Sequence, residues 1–71
     1  MTRMPELGAR IRDHRERRDI SLRELARRVG MSPSALSQIE RGKSQPKLRT
    51  LYAVATELRV SLDELFDLRP H

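Results

Sequence analysis

Apolar residues recur every three or four positions along most of the chain, and short stretches rich in glycine, proline or polar residues divide them into five segments. This spacing is typical of amphipathic α-helices, and no segment has the sustained alternation of a β-strand. The predicted helices cover about residues 5–18, 21–29, 33–41 and 47–58, with a fifth that begins at residue 61. The pattern therefore predicts an all-α protein, a compact bundle of five helices.

Helix start and stop signals support these boundaries. Two capping boxes, "SLRE" from Ser21 to Glu24 and "SLDE" from Ser61 to Glu64, begin the second and fifth helices. In such a box the serine oxygen accepts a backbone N–H from the first turn, and the glutamate reaches back to the N–H of the serine. Gly30 follows the second segment and permits the left-handed turn with which many helices end.

The apolar faces of the five segments predict one small core. Only two aromatic residues are present and cysteine is absent, so aliphatic packing alone must hold the fold together. The 71 residues are predicted to form one domain, with a core over about residues 5–68 and a tail or the start of a linker at 69–71. The side chains expected to be buried are Leu7, Ile11, Leu22, Leu25, Ala26, Val29, Leu36, Ile39, Leu48, Leu51, Ala55, Leu58, Leu62, Leu65 and Phe66, with help from Tyr52 and Val54.

The stretch "VGMSPSALSQIERGKSQP", residues 29–46, places a separate short helix at the centre of the chain. Ser32 is a suitable N-cap, and the predicted helix 33–41 stops at Gly42. One arc of this helix is polar and the other apolar: the first holds Pro33, Ser34, Ser37, Gln38 and Arg41, the second Ala35, Leu36 and Ile39. Because only a short turn separates it from the preceding helix, the arrangement is a helix-turn-helix. Such a helix can rest its apolar back on two others and present its front to the major groove of DNA.

The polar arc carries side chains that suit base edges and phosphates. Gln38 can form a bidentate pair with adenine, and Ser34 and Ser37 can bond to several bases or to phosphate. The start of the helix, capped by Ser32, is a natural phosphate site because its N–H groups point outward. The residues therefore predict contact with double-stranded DNA.

Charge is distributed unevenly along the chain. Residues 1–49 hold 13 of the 15 basic side chains against 6 acidic ones, whereas residues 50–71 carry a net charge of −2. Most of the cations are arginine, which suits bidentate recognition of phosphate. The excess favours a polyanionic partner, although charge alone is equally compatible with a solvated surface. The scarcity of aromatic side chains for base stacking argues against single-stranded nucleic acid.

Other classes of protein lack their signatures here. His14 and His71 are isolated from any pattern of metal or nucleophile partners, so neither a metal site nor a cofactor is predicted. There is no glycine-rich phosphate loop or catalytic triad, and so small a core leaves no room for a substrate pocket, which argues against an enzyme. The sequence contains no pattern of a membrane span or signal peptide, and we expect a cytoplasmic protein.

Residues 7–66 resemble a lambda-repressor-like helix-turn-helix domain of the Cro and XRE type. The resemblance lies in "LGARIRDHRERRDISLRELARRVGMSPSALSQIERGKSQP" followed by "TLYAVATELRVSLDELF". It implies a five-helix, sequence-specific DNA-binding bundle and a transcriptional regulator, most often a repressor, that binds a palindromic operator as a homodimer. Dimerisation rests on the resemblance alone, because each apolar stripe of the sequence is already assigned to the core.

The resemblance also implies roles for individual residues. Ser34 and Gln38 would read bases, and Ser37 would lie between a base-reading and a backbone role. Phosphate contacts are implied for Ser21, Arg23, Ser32, Arg41 and Lys43. An ion pair between Arg15 and Glu40 would form a partly buried clamp between the first and third helices.

Two positions depart from the family pattern. Pro33 stands where phage repressors often have glutamine, and it removes one direct base contact, so specificity depends more on Gln38, on Ser34 and on DNA shape. Lys47 stands where many relatives have a Ser, Thr or Asp cap. With Arg49 it adds cations near the phosphates, and we expect it to bind phosphate as well.

A second class of function stays open at this stage. The chain ends in "DLRPH" after an acidic final third, and many relatives carry a ligand-binding domain at that point. The chain is also compatible with an interaction module, either in an antitoxin-type complex or as the DNA-binding end of a longer protein with a sensor domain. Whether the natural reading frame continues past residue 71 distinguishes these cases.

Overall fold

The structure is a computed structural model that describes the backbone of residues 4–66 and the side chains of residues 6–66. These residues form five helices and no strand, which confirms the predicted all-α fold. The helices are α1 (Met4–Arg17), α2 (Leu22–Arg28), α3 (Pro33–Glu40), α4 (Leu48–Leu58) and α5 (Leu62–Phe66). The predicted tail at residues 69–71 lies outside the described residues.

Serine side chains begin three of the helices. Ser21 Oγ accepts the Glu24 N–H at 3.0 Å, and Ser61 Oγ accepts the Glu64 N–H at 3.1 Å, as the capping boxes predict. Glu64 also reaches back to the Ser61 N–H at 3.4 Å. The same reciprocal bond was predicted for Glu24, and that prediction was wrong. The Glu24 carboxylate accepts hydrogen bonds from Arg27 and Arg28 instead, because bonds between charged groups are stronger than one to a neutral N–H.

Helices α1 to α4 all end with a residue in the left-handed conformation, followed by a residue whose N–H donates to the carbonyl five positions back. The left-handed residues are Asp19, Gly30, Gly42 and Arg59. The residues that follow them are Ile20, Met31, Lys43 and Val60. The three apolar ones pack against the core, a contribution that the helical periodicity did not predict, whereas Lys43 is exposed. The prediction extended α3 by one residue, since Arg41 is its C-cap with ψ of 2°.

The core lies between the helices and is aliphatic. Its buried members are Leu7, Ile11, Leu25, Ala26, Leu36, Ile39, Leu51, Val54, Ala55, Leu58 and Leu65. Leu22, Val29, Leu62 and Phe66, which were also expected there, are partly buried against it. The chain thus places its apolar back surfaces together, largely as their spacing predicts.

Two residues of α4 contradict the predicted core. Leu48 is 70% exposed and Tyr52 is 67% exposed, the largest values for big apolar side chains among the described residues. At 100° per residue they lie about 60° and 100° around the helix from Leu51, on one flank of the buried stripe. The helices that pack against α4 are α1, α2 and α5, and they leave this flank of its first two turns uncovered.

Helix α1 approaches α3 closely at Gly8. A Cβ atom at this position would collide with the carbonyl oxygen of Ile39 and would lie 2.7 Å from that of Glu40. Since α3 packs chiefly against α1 and α2, this contact helps to fix the end of α3 in the fold. No local sequence signal distinguishes Gly8 from a chance helical glycine.

Candidate nucleic-acid interface

The two sides of α3 have opposite environments. On the inner side Leu36 is fully buried and Ile39 is 5% exposed. On the outer side Ser34 and Gln38 are exposed, and Ser37 is half-buried at the boundary. The outer side is therefore free to meet a partner while the inner side fixes the orientation of the helix.

The cap of α3 satisfies only part of the first turn. Ser32 Oγ accepts the Ala35 N–H at 3.1 Å, and Pro33 has no N–H to offer. The Ser34 N–H therefore stays available to an anion, together with the hydroxyl hydrogen of Ser32. Such a pair of donors at the positive end of a helix suits a phosphate oxygen.

The predicted ion pair between Arg15 and Glu40 is present. Arg15 Nε donates to Glu40 Oε2 at 2.8 Å, and Nη2 donates to Oε1 at 3.1 Å, so the contact is bidentate. Only 11% of the Arg15 side chain and 5% of the Glu40 side chain are exposed. The hydrogen bond to Glu40 raises the pKa of the Arg15 guanidinium, against the opposing effect of burial.

A further bond from the same arginine ties the pair to the turn after α1. Arg15 Nη1 donates to the carbonyl oxygen of Ile20 at 2.9 Å, an acceptor that the sequence did not predict. One guanidinium thus joins α1, the turn that follows it and the end of α3. Both side chains are largely shielded from solvent, and the pair holds the end of α3 against α1.

The ion pair also removes a negative charge from the outer surface. Residues 32–49 contain four cationic side chains, and Glu40 is their one carboxylate. Since Glu40 is turned inward and neutralised by Arg15, this stretch presents only positive charge to solvent. A surface of that sign attracts the phosphates of DNA.

The predicted phosphate-binding cations are exposed around the outer side of α3. Arg41 caps the helix, Lys43 follows in the turn, and Lys47 is the N-cap of α4 without a side-chain capping bond. Arg23 and Ser21 are exposed at the start of α2. The turn after α3 differs from the turns after α1, α2 and α4 because it has an exposed lysine where they have a partly buried apolar residue.

The described residues contain neither a cluster of metal ligands nor a membrane-spanning helix. Within residues 4–66, no three His, Asp or Glu side chains come together as they would around a metal ion. None of the described helices has the length and apolar character needed to cross a membrane.

Comparison with known proteins places this geometry in a family. Residues 11–65 match the helix-turn-helix family HTH_3. The chain belongs to this family. Among curated HTH-type transcriptional regulators, it is 44% identical over 62 residues to SlrR of Bacillus subtilis, a match that covers 86% of this chain and 41% of SlrR. The chain spans about two fifths of the length of SlrR and of other relatives that it matches.

Solved structures of HTH_3-like regulators have the same fold. The biofilm regulator SinR in complex with DNA superposes with a TM-score of 0.78 at 38% identity, covering 83% of this chain and 95% of that one. The P22 c2 repressor with a synthetic operator gives a TM-score of 0.79 at 37% identity, covering 84% and 91%. These similarities confirm the lambda-repressor-like architecture predicted from the sequence. The relatives are described as transcriptional regulators and repressors, not as enzymes.

Proposed function

We propose that this chain is a sequence-specific DNA-binding domain of a cytoplasmic transcriptional regulator, and that α3 enters the major groove. The observation that carries the proposal is the exposed polar side of α3 within residues 32–49, whose exposed charges are all positive. The DNA complexes of the similar regulators SinR and P22 c2 support the same reading. The chain then requires no cofactor or metal, because recognition depends on hydrogen bonds and charge alone.

Base edges are read from the exposed side of α3. Gln38 forms a bidentate pair with an adenine edge, and Ser34 and Ser37 bond to neighbouring bases. The remaining contacts fix the position of the domain on the phosphates. They come from Ser21, Arg23, Ser32, Arg41, Lys43 and Lys47.

The regulator acts as a homodimer on a palindromic operator, and its effect is repression. One domain reads few base pairs, so two copies related by a two-fold axis supply the specificity that a genome demands. The two α3 helices then enter successive major grooves about 34 Å apart. The description of P22 c2 as a repressor with an operator supports this assignment.

The test compares a base-reading residue with a phosphate-binding one. A preferred duplex is first selected from a random library, and binding to it and to a scrambled duplex is then measured over a range of salt. Gln38→Ala should lose discrimination at about one base pair in each half-site, about 1 to 3 kcal/mol. Arg41→Ala should weaken binding to both duplexes and make the salt dependence shallower. If Gln38→Ala kept the parent ratio of affinities, α3 would not be the reading helix.

A second candidate function is that of the DNA-binding part of a larger regulator with a sensor or partner-binding domain. The length of some curated relatives favours it, since SlrR and two others are each more than twice the length of the matched region. The coding sequence after residue 71 tests it. A continued reading frame supports the larger regulator, and a stop codon supports a regulator of this chain alone.

A further inference from the structure

Ion pairing divides the cationic side chains of residues 11–66 into two groups. One group contacts carboxylates, and its members are Arg12, Arg15, Arg17, Arg27 and Arg28. The other group has no such partner within the described residues, and most of it lies among or beside the proposed phosphate contacts: Arg23, Arg41, Lys43, Lys47 and Arg49. Arg18 and Arg59 are unpaired as well, although neither belongs to those contacts.

Arg18 and Arg59 line the same depression in the surface. It has a volume of about 370 Å³ and lies between the end of α1 and the turn from α4 to α5. This volume is at the lower end of the range for small-molecule sites. Both arginines are exposed, and Val60 supplies a partly buried apolar side chain. The remaining lining residues are His14, Arg17 and Glu64.

The ends of α1 and α4 do not account for the two arginines. A cation at the end of a helix can hydrogen-bond to the last carbonyl groups. Here the Arg15 carbonyl oxygen accepts the Ile20 N–H at 3.2 Å, and that of Ala55 accepts the Val60 N–H at 3.0 Å. Within the described residues neither guanidinium donates a hydrogen bond, so the N–H groups of both are available to a ligand.

Arg59 also occupies a backbone conformation that favours glycine. Its φ of 57° and ψ of 43° are left-handed, and the corresponding residues after α2 and α3 are Gly30 and Gly42. Asp19, after α1, is of a type that tolerates this conformation better than arginine. A side chain that is present in spite of such a cost points to a function for its guanidinium.

We propose that this depression binds the phosphate group of a small molecule. Two unpaired guanidinium groups match the charge of a phosphate monoester, about −2 at neutral pH, and each can donate two N–H groups to its oxygens. Arg17 is already paired with Asp13 at 2.9 Å. Glu64, the one carboxylate that lines the depression, opposes an anion. Its Oε1 accepts the Ser61 N–H and hydroxyl at 3.4 Å, which holds it towards the start of α5.

The position of Arg59 favours a small molecule over DNA as the source of the phosphate. Arg59 and Lys47 lie at opposite ends of α4, about 18 Å apart along its axis. Arg18, by contrast, is only three residues from Ser21, so the backbone of DNA carries the other phosphate that could reach it. A DNA phosphate at Ser21 would leave Arg59 unoccupied, whereas a ligand in the depression meets both arginines.

Titration with inorganic phosphate tests the site without DNA. Backbone amide NMR signals are followed while phosphate replaces chloride at constant ionic strength. The signals of Arg18, Arg59 and Val60 should shift and saturate. Arg18→Gln and Arg59→Gly should each weaken binding about fivefold, because each removes charged donors, and Glu64→Gln should strengthen it. A matched control, Arg12→Gln, removes the same charge from an exposed pair elsewhere on α1 and should bind as the parent does.

Arg59→Gly separates loss of binding from loss of folding. Glycine relieves the cost of the left-handed conformation, so this variant should unfold at or above the parent temperature. A scrambled DNA duplex should leave the Arg59 and Val60 signals unchanged. Shifts that do not saturate, or equal phosphate affinities for the parent and Arg59→Gly, would overturn the inference. Stronger shifts of the Arg59 signal with the duplex than with phosphate would also overturn it and assign the depression to the DNA backbone.

Discussion

The inner and outer sides of α3 belong to the same eight-residue helix but have different roles. The inner side is fixed by buried Leu36 and Ile39, by the close approach of Gly8 and by the ion pair of Glu40 with Arg15. The outer side makes few contacts with the rest of the described chain. The effect of a substitution should therefore depend on the side of α3 that it changes. Substitutions on the inner side should alter the free energy of unfolding, and substitutions on the outer side should alter DNA binding alone.

The largest expected loss on the inner side follows removal of Glu40. Glu40→Ala leaves the Arg15 guanidinium partly buried without its carboxylate, which should cost about 3 kcal/mol in the free energy of unfolding. Urea unfolding measures this loss. Replacing both partners, as Arg15→Met with Glu40→Leu, should recover much of the stability because no uncompensated charge remains. Equal unfolding midpoints for the parent and Glu40→Ala would show that the inner side does not depend on the pair.

Gly8→Ala should produce the next largest loss in the free energy of unfolding. The sign of the change is informative, because the same substitution stabilises most helices. In a helix interior alanine is normally more stabilising than glycine, by about 1 kcal/mol. Here the new methyl group meets the carbonyl oxygens of Ile39 and Glu40, so we expect destabilisation of about 2 kcal/mol. Thermal unfolding checks it, with Ala9→Ser at the neighbouring exposed position as control. A stabilised Gly8→Ala variant would mean that α1 and α3 are not held this closely.

Local features of α3 could be predicted from the sequence, whereas its close contact with α1 could not. Three of the helix starts were predictable because their caps are local: a serine oxygen such as that of Ser32 needs only the N–H three residues later. The outer residues of α3 were predictable because a helical arc separates them from Leu36. The collision at Gly8 depends on which helix lies across it, and that is a tertiary property that one-dimensional spacing does not contain.

The exposed flank of α4 was missed for a related reason. Periodicity assigns Leu48 to the apolar stripe, but burial there requires a neighbouring helix, and none covers that flank of the first turn. The apolar residues after helix ends were missed because turns have no period. A signal was nevertheless present: an apolar residue directly after a left-handed cap often makes an apolar contact. Ile20, Met31 and Val60 pack against the core in this way.

Substitution of Ser32 should have a smaller effect, on both the stability of the fold and DNA binding. Ser32→Ala removes the cap of α3 and should cost about 1 kcal/mol of stability. Ser61→Ala is a matched control, because Ser61 makes the same capping bond at the start of α5. Both variants should lose similar stability in urea, and only Ser32→Ala should also weaken DNA binding. Equal binding by the two variants would remove Ser32 from the phosphate contacts.

The smallest effect is expected at Glu24, whose exposed ion pairs contrast with the buried pair of Glu40. Hydrogen bonds from Arg27, then from Arg28, lower the pKa of the Glu24 carboxyl to about 2. A lowered folded-state pKa means that the unfolded chain takes up the proton more readily, so this contribution to stability is present above the ordinary carboxyl pKa. It is lost as pH falls from that value towards about 2.

Glu24→Gln should therefore lose a small amount of stability at neutral pH, since the pairs are exposed, and its acid-induced loss should be shallower than that of the parent by about the same amount. Urea unfolding of the parent and variant at neutral pH and at several acidic pH values measures both parts. Salt should reduce the difference, because it screens pairs that solvent surrounds but hardly affects Arg15 and Glu40. Parallel pH profiles for parent and variant would mean that the Glu24 pairs do not persist in solution. The exposed ion pairs of α2 would then add nothing to the free energy of unfolding, and the buried contacts of α3 would remain its source in this part of the fold.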